Sequence, residues 1–127
     1  MYNIKQQNKI TNTIIKKINE ADAKFSKNIN EHLNFSPLSV YMIIGAYYRL
    51  GIPNDKKCLV VSSVDIKEKY KGKGYFKKYM ELLSDIAKEK QYRIVFESVL
   101  NEELKKWILN KGYIEIPNLN NFYIDLK

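Results

Sequence analysis

A chain of 127 residues, 45% hydrophobic and 28% charged, suits one soluble domain around one core: it is too short for two ordinary domains and too apolar for a disordered segment. The formal net charge of +8 attracts phosphate-bearing partners, but the lysines are spread through helical stretches and only Arg49 and Arg93 could read base edges. Solvated charged faces are therefore the main reading, a polyanionic small ligand comes next, and nucleic acid is a minor one.

Cys58 is the single cysteine, so an internal disulfide is excluded, and no Cys/His cluster has the spacing of a metal site. There is no apolar run of about 18 residues to span a membrane and no apolar core of a signal peptide, which makes the cytoplasm the expected location.

Along the chain, Ile10, Ile14, Ile15, Ile18 and Ala21 recur at spacings of three and four and predict an amphipathic helix over 9–22, with Thr11 or Thr13 near its start. Residues 23–35 are polar with apolar positions at 25, 29, 33 and 35 and fit a second short helix or a loop-rich segment, giving a helical N-terminal part over 1–35. Ser36-Pro37 could cap and open another helix. The β-branched and aromatic run Val40-Tyr41-Met42-Ile43-Ile44-Gly45-Ala46-Tyr47-Tyr48 instead favours a strand over 36–50. Gly51-Ile52-Pro53-Asn54-Asp55 reads as a turn, so that strand forms a hairpin with a buried strand over 58–66.

The stretch Ile66-Lys67-Glu68-Lys69-Tyr70-Lys71-Gly72-Lys73-Gly74-Tyr75-Phe76 leaves that strand through a glycine-rich turn and enters a helix whose inward stripe is Phe76, Tyr79, Met80, Leu83, Ile86 and Ala87. Strand, glycine turn and helix start together make an anion site, because glycines admit close backbone approach and the first N–H groups of a helix lack internal partners. Lys67, Lys69, Lys71 and Lys73 add positive charge. A second buried strand follows over 92–99. Asn101 then caps a short helix with Leu104, Trp107 and Ile108 inward, and Gly112 ends it. Strands over 113–116 and 122–126 close the chain around a turn at 117–121.

This order resembles the GNAT superfamily of N-acetyltransferases from Cys58 to the C-terminus. Lys71-Gly72-Lys73-Gly74-Tyr75-Phe76 lies on the family pattern [RQ]-x-x-G-x-[GA], with Lys71 in the Arg/Gln place, Gly74 in the glycine place and Phe76 departing from the small residue. Asn101-Glu102-Glu103-Leu104-Lys105-Lys106-Trp107-Ile108-Leu109-Asn110-Lys111-Gly112-Tyr113 is similar to N-x-x-A-x-x-L-Y-x-x-x-G-F. The resemblance implies a single α/β domain over 1–127 with its coenzyme-binding core at 58–127, in a mixed, mostly antiparallel sheet with a central, splayed parallel strand pair and helices on both faces. The N-terminal part is short for the family, whose sheet gains two or three strands before residue 58; either strand content is reduced or a homodimer completes the sheet.

The implied ligand is acetyl-CoA or coenzyme A. Its pantetheine arm would meet unpaired backbone near Val64 and Ile66, its pyrophosphate the N–H groups of Lys71, Gly72, Lys73, Gly74, Tyr75 and Phe76, and Asn101 would approach from the other side. The implied reaction moves the acetyl group to the amine of a small molecule or protein by direct attack, which calls for a base, an oxyanion donor and a general acid. The family often supplies the acid as the Tyr of its L-Y phrase, where this chain has Ile108. Glu97 is the candidate base, with a lysine-paired carboxylate at a sheet edge as the equal alternative. His32, in a polar segment, reads as a surface residue, and Asp65 as facing solvent or capping the loop. Two other functions stay open: a GNAT-like domain that binds a partner without catalysis, suggested by Ile108, and a basic nucleic-acid-binding module.

Overall fold

The computed structural model describes residues 1–23, 28–47 and 56–126. Helix α1 (Ile4–Ala23) is followed by strands β1 (Ile29–Phe35), β2 (Leu38–Tyr47) and β3 (Lys57–Ile66), then helix α2 (Tyr75–Lys90), strand β4 (Arg93–Phe96), helix α3 (Glu102–Asn110) and strands β5 (Ile114–Ile116) and β6 (Asn121–Asp125). The six strands lie in the order β1-β2-β3-β4-β6-β5. Every neighbouring pair is antiparallel except β3 and β4, the central parallel pair.

Helix α1 begins at Ile4, ahead of the threonines that the isoleucine spacing suggested. Its start is set by Asn3 and Gln6, which cap each other's backbone N–H at 2.8 and 2.9 Å. Ile10, Ile14, Ile18 and Ala21 are its buried face. Residues 29–35 correct the helical reading of the N-terminal part: Leu33 and Phe35 alternate with exposed His32 and Asn34, a period of two, and form β1. Among the described residues two strands thus precede β3, within the family's two or three, so the expected reduction in strand content is not found. The strand reading of 36–50 holds over Leu38–Tyr47, where β2 pairs with both β1 and β3. The turn at 51–55 lies outside the described residues.

Both arms of the β2–β3 hairpin carry a bulge. Gly45 is an extra residue on β2 between the pairs Ile44↔Leu59 and Ala46↔Cys58. Its φ of +90° suits glycine, and a Cβ there would stand 2.7 Å from that of Ala21, so glycine lets α1 settle on β2. On β3, Ser62 stands out of the ladder between the pairs Tyr41↔Ser63 and Met42↔Val61.

The main core gathers buried residues of α1, α2 and α3 against one face of the sheet, from Ile14 and Met42 to Leu83, Phe96 and Ile108. The smaller cluster of Cys58, Val60, Val95 and Ile116 is built from strands alone. Helices on both faces were expected; the described helices bury their side chains on one. Across β4 and β6, Arg93 is 2% exposed and bonds Asp125 through Nε at 2.6 Å and an Nη at 2.9 Å, a bidentate pair that satisfies a buried guanidinium.

Candidate functional site

β3 and β4 pair from Cys58↔Arg93 to Val61↔Phe96, and the Glu97 N–H makes the last link, to the Val61 carbonyl at 3.2 Å. β3 then runs on to Ile66 beside β2, with no strand on its other edge among the described residues. Backbone groups on such an edge need partners from elsewhere. The gap is a cavity of about 220 Å³ lined by Val61, Ser62, Ser63 and Val64 on one side and by Phe96, Glu97, Ser98, Val99, Leu100, Asn101 and Leu104 on the other.

The two strands part for local reasons. Ser62 bulges from β3, while Ser98 adopts a left-handed φ of +56° and turns the chain away after β4. The Ser98 N–H donates to Oδ1 of Asn121 at 2.7 Å, and the Val99 N–H donates to the Asn120 carbonyl at 2.9 Å. Across the mouth, the Ser62 hydroxyl donates to the Glu97 carboxylate at 2.6 Å.

The glycine turn begins with a short 3₁₀ segment at Glu68–Tyr70. The Lys71 N–H donates to the Glu68 carbonyl at 3.1 Å and its ammonium pairs with the Glu68 carboxylate at 2.9 Å. That hydrogen bond raises the Lys71 pKa above its ordinary value. Gly72 and Gly74 have φ of +74° and +87°, conformations that favour glycine. The first-turn N–H groups of Tyr75, Phe76 and Lys77 lack intrahelical partners and form the positive end of the helix dipole, and Gly74, the N-cap of α2, offers no side chain to cap them. Lys67, Lys69 and Lys73 are exposed around the turn. The Tyr75 hydroxyl accepts from the Met1 ammonium at 2.7 Å, and its ring packs edge-on against Tyr2 and Tyr70.

Of the residues singled out in the sequence, Val64, Glu97 and Asn101 thus line one cavity. Gly72, Lys73, Gly74, Tyr75 and Phe76 form the turn and helix start. Ile66 lies past the cavity, on the wall of a separate hollow between the β1–β2 turn and the end of β3. Asn101 caps α3, its Oδ1 accepting from the Leu104 N–H at 2.9 Å. Ile108 is fully buried and does not line the cavity. Tyr113 packs inward on Phe96, and burial pushes its hydroxyl pKa up. His32 is exposed on β1 against the Tyr41 ring, and Asp65 is exposed.

Ser62, Ser98 and Asn121 were not singled out by sequence. The only signal was a pair of serines inside an apolar strand and an asparagine among several in a turn. A larger cavity of about 260 Å³ lies between α2 and α3, walled by Lys77, Met80, Trp107, Tyr113 and Ile124.

No protein-family model and no curated protein sequence matches the chain. Among solved structures, a tyrosine-to-phenylalanine variant of KacT is similar at 14% identity, covering 90% of this chain and 80% of that one, with a TM-score of 0.55. The KacTA–DNA complex is similar at 15% identity, covering 90% and 77%, with a TM-score of 0.51. An acetyltransferase of the GNAT family from Listeria monocytogenes is 11% identical, covering 98% and 92%, with a TM-score of 0.47. With one parallel pair at the centre of a mostly antiparallel sheet and the likeness to the two KacT structures, the chain has a GNAT-type fold.

Proposed function

We propose that the protein is an N-acetyltransferase that moves an acetyl group from acetyl-coenzyme A to the amine of a small molecule or protein. The observation that carries this reading is the pairing of a β3 edge that has no strand beside it among the described residues, next to the cavity of Val64, Glu97 and Asn101, with a helix start at Gly74 that no side chain caps. The residues present fit the coenzyme: a backbone edge suits the amides of pantetheine, and the first-turn N–H groups with exposed lysines suit a pyrophosphate. Val64 and Asn101 would hold the arm, and Gly72 to Phe76 the pyrophosphate. When bound, the coenzyme supplies the acetyl group as a thioester.

Glu97 is the carboxylate on the cavity wall, and its role is to accept the proton that the attacking amine must lose. The Ser62 hydroxyl fixes the carboxylate across the opening. With Ile108 in the core, Glu97 in its protonated form is also the group at hand to return a proton to the leaving side. Calorimetry with acetyl-CoA and with CoA tests the reading: binding of both supports it, and no heat at millimolar ligand overturns it.

The buried Ile108 favours a second reading, in which the domain binds the coenzyme and acts by contacting a partner. Coenzyme binding without thiol release across a panel of amines is its expected signature. A nucleic-acid role would use the exposed lysines of the turn, and one of the similar structures is a complex with DNA. Binding of that kind must weaken steeply with added salt.

A further inference from the structure

We propose that Asn121, at the start of β6, is a positioning residue that holds the β3–β4 splay open and so shapes the cavity for the coenzyme's arm; this rests on the coenzyme reading above. In a parallel ladder, alternate N–H groups of one strand reach the same neighbour. The Glu97 N–H bonds the Val61 carbonyl, so continuing the ladder would bring the Val99 N–H to β3 next and close the gap. That N–H is diverted to the Asn120 carbonyl at 2.9 Å. The intervening Ser98 N–H, on the opposite side of the strand, is taken by Asn121 Oδ1 at 2.7 Å.

Asn121 is 5% exposed and paired with Ile116 of β5, so its carboxamide is presented from a fixed place. Ser98 keeps a left-handed conformation that non-glycine residues adopt at a cost, and this acceptor compensates it. The turn between β5 and β6 therefore acts on a cavity formed by β3, β4 and the start of α3. Asn121 itself does not line that cavity.

The test compares the wild-type protein, Asn121→Leu and Asn121→Asp in calorimetric titrations with CoA, which needs both turn and splay, and with adenosine diphosphate, which needs the turn alone. Removing the buried acceptor is expected to weaken CoA about tenfold or more in Asn121→Leu while leaving adenosine diphosphate within about threefold, and Asn121→Asp, which keeps an oxygen in place, is expected to restore CoA binding. Unchanged CoA affinity in Asn121→Leu, an equal loss for both ligands, or failure of Asn121→Asp to restore binding overturns the proposal.

Should Asn121→Leu not fold, amide hydrogen exchange of the wild-type protein decides. The Ser98 and Val99 amides are expected to exchange about a hundredfold more slowly than that of exposed Leu100, and exchange at the Leu100 rate overturns the proposal. Absence of CoA binding by the wild-type protein is a different result: it defeats the coenzyme reading, and the positioning role falls with it.

Discussion

The Ser62 hydroxyl and the Glu97 carboxylate meet at 2.6 Å across the opening between β3 and β4, one residue beyond the last strand pair, Val61↔Phe96. The carboxylate proposed as the base is thus attached to both walls of the cavity that it lines. Its position depends on the opening's width as well as on its own backbone.

Replacing Glu97 by Gln keeps the size and the hydrogen bond from Ser62 but removes the proposed base. Thiol release from acetyl-CoA with an amine acceptor is expected to fall about 10²- to 10⁴-fold, with KM for acetyl-CoA changed less than about threefold. Ser62→Ala should lower turnover by about tenfold, since it takes the hydroxyl's hydrogen bond from the carboxylate without removing the carboxylate. An unchanged pH–rate profile in Glu97→Gln would remove Glu97 from the chemistry.

The two glycines of the turn separate strain from binding. A Cβ on Gly72 meets nothing within 4 Å, so Gly72→Ala should cost only the left-handed strain, about 1–2 kcal/mol in urea unfolding. At Gly74 a Cβ would also stand 2.6 Å from the tip of the Met1 side chain, which is flexible enough to move aside. Gly74→Ala should therefore destabilise by a similar amount. Gly74→Asp places a carboxylate where a pyrophosphate is proposed and should abolish CoA binding; normal affinity there would show that the turn does not hold the coenzyme.

The Arg93–Asp125 pair is a test of architecture. Asp125→Ala leaves a guanidinium 2% exposed without its main partner and should cost about 3 kcal/mol, the low end for a buried pair because Asp125 itself is 32% exposed. Arg93→Met combined with Asp125→Leu should recover most of that loss. A simple sum of the two single losses would contradict the pairing.

Stability should fall at both ends of the pH scale for identifiable reasons. Burial raises the Asp22 pKa, but hydrogen bonds from Tyr92 at 2.5 Å and Lys57 at 3.1 Å, with the charges of Lys57 and Lys90, outweigh it and hold the carboxyl below its ordinary 3.8. A lowered folded value contributes stability above pH 3.8 that is lost as pH falls through it. Burial pushes Tyr2 from 10.0 up to about 12, so its contribution is present below pH 10.0 and is lost as pH rises towards 12. Melting curves should show Asp22→Asn with a flatter acid limb and Tyr2→Phe with a flatter alkaline limb. An alkaline limb in Tyr2→Phe as steep as that of the wild type would refute the assignment.

Elements whose pattern is local were legible in the sequence. The stripe from Phe76 to Ala87, the Asn101 cap and the Gly112 stop depend on neighbours three or four residues away, and the structure keeps all three. Residues 29–35 misled because a segment with few apolar positions fits several periods, and its strand form is decided by pairing with β2. At the candidate site, Val64, Glu97 and Asn101 could be reached through family motifs. Ser98 and Asn121 could not, because their contact spans 23 residues and joins a backbone N–H to one asparagine among several.

The extra residue in β3 has a consequence for chain length. Val61, Val64 and Ile66 all pack on the main core, while Ser63 and Asp65 are exposed, so a chain lacking Ser62 would still alternate strictly inward and outward from Val61 to Ile66. The β2 partners Met42, Tyr41 and Val40 would each keep their present counterpart. Ser62 is therefore an insertion that the core can do without, and deleting it would leave a sheet of the same registry that has lost the hydroxyl tying Glu97 in place.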